Sequence, residues 1–167
     1  MAETIRDAVA ALRERVGDEP ARAVVKLRAE GRMGEGTRVD MRTGAFEFGV
    51  DEPVSVGGTG TAANPVQLAL ASLGSCQAIT YRYWAEHLGL RLDAVTVKVE
   101  ADFDTGAFFG FPGSTIPSPK NVLCSVTLEG PETQDRYDEL VAVVDEHCPM
   151  LDLFTRSVPV ERNVTIG

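Results

Sequence analysis

Cys76 and Cys148 are the residues of this chain best suited to chemistry. Cys76 lies inside a charge-free stretch that reads as a helix, and Cys148 stands directly before Pro149 at the end of another. Each falls on the apolar face of its own helix, so burying both faces in one core would bring the sulfurs together. An acidic chain of intracellular character has little structural use for a disulfide, and a facing thiol pair therefore points to redox chemistry. Packing is the plainer account of a lone helical cysteine. Around Cys76 the i±4 neighbours Ser72 and Thr80 are small hydroxyl residues that leave room at sulfur. Apolar surroundings raise a thiol pKa, so a reactive Cys76 needs a cation from elsewhere in the fold. At Cys148 the following proline disfavours helical geometry, and the next helix can present free backbone N–H groups there. Cys124 alternates with Val122, Val126 and Leu128 on a strand face and reads as core packing.

The histidines are less promising. His87 closes a helix beside Glu86, where a cation offsets the helix dipole. His147 precedes Cys148, and adjacent helical side chains diverge by about 100°, so the two form no dyad by adjacency. A Cys76–His dyad for acyl transfer has no further support in the sequence.

These residues need elements to position them. The chain has 167 residues, 44% hydrophobic and 25% charged, enough for one ordinary globular domain. A net charge of −9 argues against nucleic acid and anionic membranes as partners. The segment Met1–Asp7 carries acids and no apolar core, so it does not read as a secretory signal, and a cytoplasmic location is expected. The longest uncharged run, Pro53 to Tyr81, is too rich in Gly, Ser, Thr and Gln to span a bilayer. Three cysteines without a CxxC make neither a disulfide framework nor a zinc site. Gly57-Gly58-Thr59-Gly60 lacks both a P-loop lysine and Rossmann spacing and reads as a flexible connector. No metal or cofactor is expected.

Residues 4–16 read as an amphipathic helix with Ile5, Val9, Leu12 and Val16 on one face. Strands are expected over 24–30, 37–42 and 45–50, with Gly31, Gly34, Gly36 and Gly44 marking the turns of a meander. Pro65 opens a helix to about His87 whose first turns carry no charge; it must be buried all round, with a second subunit as one source of cover. Residues 94–104 alternate as a half-buried strand, 105–119 form a Gly/Pro-rich loop with Phe108, Phe109 and Phe111, and 121–129 give another strand. A helix over 133–147 carries Tyr137, Leu140, Val141 and Val144 inward and extends that stripe to Cys148. After Pro149 a short helical turn reaches Thr155, and Val158, Val160, Val164 and Ile166 suggest a last strand. The fold class is α+β, with an antiparallel sheet and two helices bearing the cysteines.

The run from Asn64-Pro65-Val66-Gln67 to Gly74-Ser75-Cys76, followed by Cys148-Pro149, resembles the OsmC/Ohr family of osmotically induced and organic hydroperoxide resistance proteins. Asp51-Glu52-Pro53 with Gly57-Gly58 resembles the approach loop of OsmC-like members. The likeness divides the chain into an N-terminal helix and linker, 1–21, and an OsmC-like domain, 22–167. It implies an intertwined homodimer in which antiparallel sheets wrap long central helices. It also implies a thiol peroxidase. Cys76 would attack an organic hydroperoxide, Cys148 would condense with the resulting sulfenic acid, and a lipoyl-type dithiol would reduce the disulfide.

The pocket would lie at the dimer interface, where Phe108, Phe109 and Phe111 are candidate lining residues, with loop packing the alternative. An early-loop arginine would stabilise the thiolate and the leaving oxygen. Arg32, in Glu30-Gly31-Arg32, matches best, with Arg28 and Arg38 as competitors. The glutamate that clamps this arginine in peroxidase members is replaced: Val66 stands at one family position and Gln67 at the other. An OsmC-fold dimer with a non-peroxidatic or small-molecule-binding role is therefore the alternative.

Overall fold

A computed structural model describes residues 4–167. Residues 1–3, part of the expected N-terminal segment and of the stretch 1–7 read as no secretory signal, lie outside the described residues. Helix α1, Ile5–Val16, starts where Thr4 and Asp7 cap each other: the Thr4 hydroxyl accepts the Asp7 N–H at 3.1 Å, and the Asp7 carboxylate accepts the Thr4 N–H at 3.3 Å. None of its residues is fully buried.

Strands β1 (Ala29–Met33), β2 (Val39–Thr43) and β3 (Phe46–Val50) form an antiparallel meander. The first strand lies later than expected. Ala29 faces Thr43, and β2 turns back at Gly44, whose φ of 58° suits glycine, so no neighbouring strand remains for residues 24–28. Gly31 is likewise not a turn residue. It sits opposite Met41 in mid-ladder, where an added Cβ would come within 2.4 Å of the Met41 sulfur.

The Gly-rich loop is tied down rather than free. Asp51, 1% exposed, accepts the Thr37 hydroxyl at 2.6 Å, the Thr59 hydroxyl, and the backbone N–H groups of Glu52 at 2.9 Å and Thr59 at 3.0 Å. These bonds hold its carboxyl far below the ordinary range, the Thr37 and Thr59 hydroxyls contributing most.

Helix α2, Pro65–Leu88, begins with proline at its first position and a second reciprocal cap. Asn64 Oδ1 accepts the Gln67 N–H at 2.8 Å, and Gln67 Oε1 accepts the Asn64 N–H at 3.0 Å. The helix is not buried all round: Ala71, Ser75, Ile79 and Tyr83, spaced four apart, stay exposed. Strand β4 (Ala94–Asp102) and strand β5 (Lys120–Glu129) form a second sheet, with the Asp93 N–H on the Glu129 carbonyl at one end and Asn121 on Asp102 at the other. Between them Asp104 caps a four-residue helix, α3 (Thr105–Phe108). Helices α4 (Gln134–His147) and α5 (Pro149–Thr155) follow.

Residues 157–167 form no strand: their apolar side chains alternate, yet among the described residues they pair with no strand, and Ile166 is 94% exposed. Among the described residues no helix is long and apolar enough to cross a membrane.

By contacts the chain divides into two compact units, Met1–Ala71 with Ala101–Val122, and Ser72–Glu100 with Leu123–Gly167. The core of the second is Tyr81, Ala85, Leu90, Leu92, Leu140 and Val144, with Val95, Val126, Leu128 and Val141 packed against it. Its sequence cause is simple. The inward positions of β4 and β5 recur every two residues, those of α2 and α4 every three or four.

Candidate active site

Both redox candidates belong to the second unit. Cys76 projects from α2, and Cys148 extends the α4 stripe one turn beyond Val144. Pro149 cannot continue the helix and biases its predecessor toward extended geometry, and Cys148 adopts φ −81° and ψ 109°. It thus closes α4 through its N–H on the Val144 carbonyl at 2.9 Å and opens α5 through its own carbonyl, which accepts the Asp152 N–H at 3.1 Å. This junction delivers the sulfur. Cys148 Sγ donates to Cys76 Sγ at 3.6 Å, and both are free thiols. Cys148 is 1% exposed, whereas Cys76 is partly open.

The electrostatics pull in both directions. Burial pushes the Cys76 thiol up, and the neighbouring Cys148 adds to this. The Met150 backbone N–H, at the start of α5, and the Thr80 hydroxyl act the opposite way by favouring the thiolate. Thr80 lies one turn after Cys76, and its hydroxyl also reaches the Cys76 carbonyl at 2.7 Å. The N–H beyond Pro149 thus acts on Cys76, not on Cys148, where the free N–H groups were expected. The role of Thr80 was visible only as a small neighbour.

Other candidates fall elsewhere. His147 Nδ1 lies 2.8 Å from the Val143 carbonyl, and its ring packs on Trp84 with centroids 4.4 Å apart. Neither contact brings it to a thiol. Cys124 faces inward from β5, as expected of a packing residue, and burial raises its thiol.

Arg32 belongs to the first unit, on β1, where it lines an open groove of about 690 Å³ with Arg38, Arg42, Glu30 and Asp40. Its competitor Arg38 is engaged by Asp40 at 3.1 Å and the Thr61 hydroxyl at 3.2 Å, while Arg32 makes no ion pair among the described residues. Gln67 is occupied by the helix cap, so its amide oxygen already has a donor. Glu52, which from sequence is only part of the approach loop, has its carboxylate 3.5 Å from Asn64 Nδ2, putting an acid beside the start of α2. Phe108, Phe109 and Phe111 are exposed and pack on one another at centroid distances of 4.9 and 5.9 Å.

An α+β chain with antiparallel sheets and a facing thiol pair at a helix–proline–helix junction defines the class. The sequence profile of the OsmC-like protein family matches residues 58–163, more than half of the chain. The chain belongs to that family. Solved structures agree on the fold. An OsmC-like protein from Mycoplasma pneumoniae superposes with a TM-score of 0.67 at 15% identity, over 78% of this chain and 87% of the other. An organic hydroperoxide resistance protein from Legionella pneumophila gives 0.55 at 23% identity, over 79% and 90%. The organic hydroperoxide resistance protein OhrB of Bacillus subtilis gives 0.53 at 18%, over 78% and 91%. A comparison with curated proteins gave no match.

Proposed function

We propose that this chain is a thiol peroxidase that reduces organic hydroperoxides through Cys76, with Cys148 as the resolving thiol. The observation that carries this reading is the 3.6 Å approach of the two sulfurs, one of them buried. The Cys76 thiolate attacks one peroxide oxygen, the O–O bond breaks, and the alkoxide leaves as an alcohol after taking a proton. Cys76 becomes a sulfenic acid. The Cys148 sulfur then displaces hydroxide, which leaves as water, and an intramolecular disulfide forms. A dithiol of the lipoyl type restores both thiols and is itself oxidised. No metal or organic cofactor enters the cycle. Arg32 is the candidate cation for the thiolate and the departing oxygen, and Val66 and Gln67 stand where its clamping glutamate would be.

The homodimer belongs to this proposal. Ala71, Ser75, Ile79 and Tyr83 form an exposed face without charge on α2, which a second copy would cover. A cytoplasmic, reducing setting suits a chain whose three cysteines are all free.

One observation favours a second reading, a family member that binds small molecules without turning over peroxide: burial raises the Cys76 thiol, and no glutamate follows Asn64-Pro65. Peroxide consumption separates the two. Turnover of cumene hydroperoxide with dihydrolipoamide, abolished in Cys76→Ser, supports the peroxidase. Equal, negligible rates in both proteins would leave only the binding role.

A further inference from the structure

We propose that Cys124 is a third redox thiol, which takes Cys148 out of the Cys76–Cys148 disulfide and returns Cys76 to its reduced form. The first disulfide rests on the peroxidase reading; the exchange itself does not. Cys124 shares its strand face with Val126 and Leu128, which pack on the core of Tyr81, Leu140 and Val144. Cys148 follows Val144 by one turn, so β5 and the α4–α5 junction run toward the same place. The long helix arrives there as well. Gly74, two residues before Cys76, is pressed on β4: an added Cβ would meet Val99 Cγ2 at 3.3 Å and Val97 Cγ1 at 3.8 Å. β4 is the strand paired with β5, so α2 is seated on the sheet face from which Cys124 projects. Electrostatics agree: Cys148 and Asp145 both act on the Cys124 thiol, and the Tyr81 phenol feels Asp145, Cys124 and Cys148 together.

Cys148 is the sulfur to be attacked. It sits in extended geometry at the junction that closes α4 and opens α5, whereas Cys76 lies within α2. The Met150 N–H favours the thiolate form of the departing Cys76. In the step, the Cys124 thiolate donates its electron pair to Cys148 Sγ. A Cys124–Cys148 bond forms, the Cys76–Cys148 bond breaks with its pair leaving on Cys76, and the proton lost by Cys124 is regained at Cys76. No net oxidation occurs, so no further reactant is needed.

The three cysteines lie in separate tryptic peptides, 43–82, 121–136 and 137–156, which makes the exchange measurable. Full-length protein is treated with one equivalent of cumene hydroperoxide, quenched by alkylation over time and mapped without reduction, using chains of monomer mass. The expected result is a Cys124–Cys148 peptide that grows as the Cys76–Cys148 peptide declines, with Cys124 alkylation falling at least ~2-fold. Persistent full alkylation of Cys124 beside a stable Cys76–Cys148 link overturns the proposal. A second arm needs no peroxidase activity. Cys76→Ser protein is oxidised with diamide, a diazene that removes two electrons and two protons from a thiol pair, after circular dichroism has verified its fold. Here a Cys124–Cys148 link supports the third thiol and its absence overturns it. Failure of wild-type protein to form any Cys76–Cys148 link counts instead against the peroxidase reading.

Discussion

Replacing Cys148 by serine should leave the oxidised form of Cys76 stranded. A single thiol held 3.6 Å from the reacting sulfur is confined to a volume corresponding to an effective concentration on the order of 10 M. Against ~1 mM of an external thiol, that is an advantage of roughly 10⁴ before any gain from orientation. In Cys148→Ser the sulfenic acid at Cys76 should therefore persist about 10³–10⁴-fold longer at that thiol concentration. The assay is dimedone trapping after a pulse of cumene hydroperoxide, read by mass spectrometry of peptide 43–82. Wild-type protein should give little adduct and an intact disulfide. The variant should give mostly adduct, and with excess peroxide a sulfinic acid two oxygens heavier than the thiol. Because Cys148 is 1% exposed, the buried hydroxyl of serine should cost about 1–2 kcal/mol of stability, so urea unfolding of both proteins accompanies the assay. Equal dimedone labelling in the two folded proteins would refute the reasoning, since proximity would then confer no advantage on Cys148.

Further outcomes follow from the same geometry. Leu140, with no exposed surface, should cost about 3 kcal/mol when cut to alanine, measured as a lower urea midpoint at unchanged slope. Asp51 has a depressed pKa in the fold, so its contribution is complete above the ordinary value of 3.8 and is lost as pH falls below it. The Tm difference between wild type and Asp51→Asn should accordingly shrink between about pH 5 and pH 2. Cys76, Cys124 and Tyr81 shift the other way, Tyr81 being pushed up to about 12 mainly by burial. Their contributions are whole below the ordinary thiol value of 9.0 and fade as pH rises through the folded values. Tyr81→Phe should remove the last part of this alkaline loss, roughly 1–2 kcal/mol after solvent screening, read from urea midpoints at alkaline pH. Sedimentation should give twice the 17.9 kDa chain mass, and Ile79→Asp, which sets a charge on the exposed α2 face, should shift it to the monomer value.

While α2, uncharged all round at its start, hid its exposed face, sequence alone determined the inward faces of β4, β5 and α4, because helix and strand each repeat with a fixed period that one chain displays openly. It thereby gave the helices of both cysteines, the alternation of β4 and β5, and the break at Pro149 with a free N–H beyond it. The first strand and the last segment escaped it, since apolar alternation marks residues able to form a ladder, while a ladder needs another strand's N–H and C=O groups alongside. Gln67 looked like a replacement for a missing acid, yet a local cap with Asn64 claims its oxygen, a competition that spacing does not rank. Tertiary structure alone decided the 3.6 Å between Cys76 and Cys148, the burial of Asp51 beneath its threonines, and the acid at Glu52 beside the start of α2. The thiol separation joins segments 72 residues apart, and the other two close a loop through side-chain bonds spanning up to 14 residues; neither kind of contact shows in a period of apolar residues.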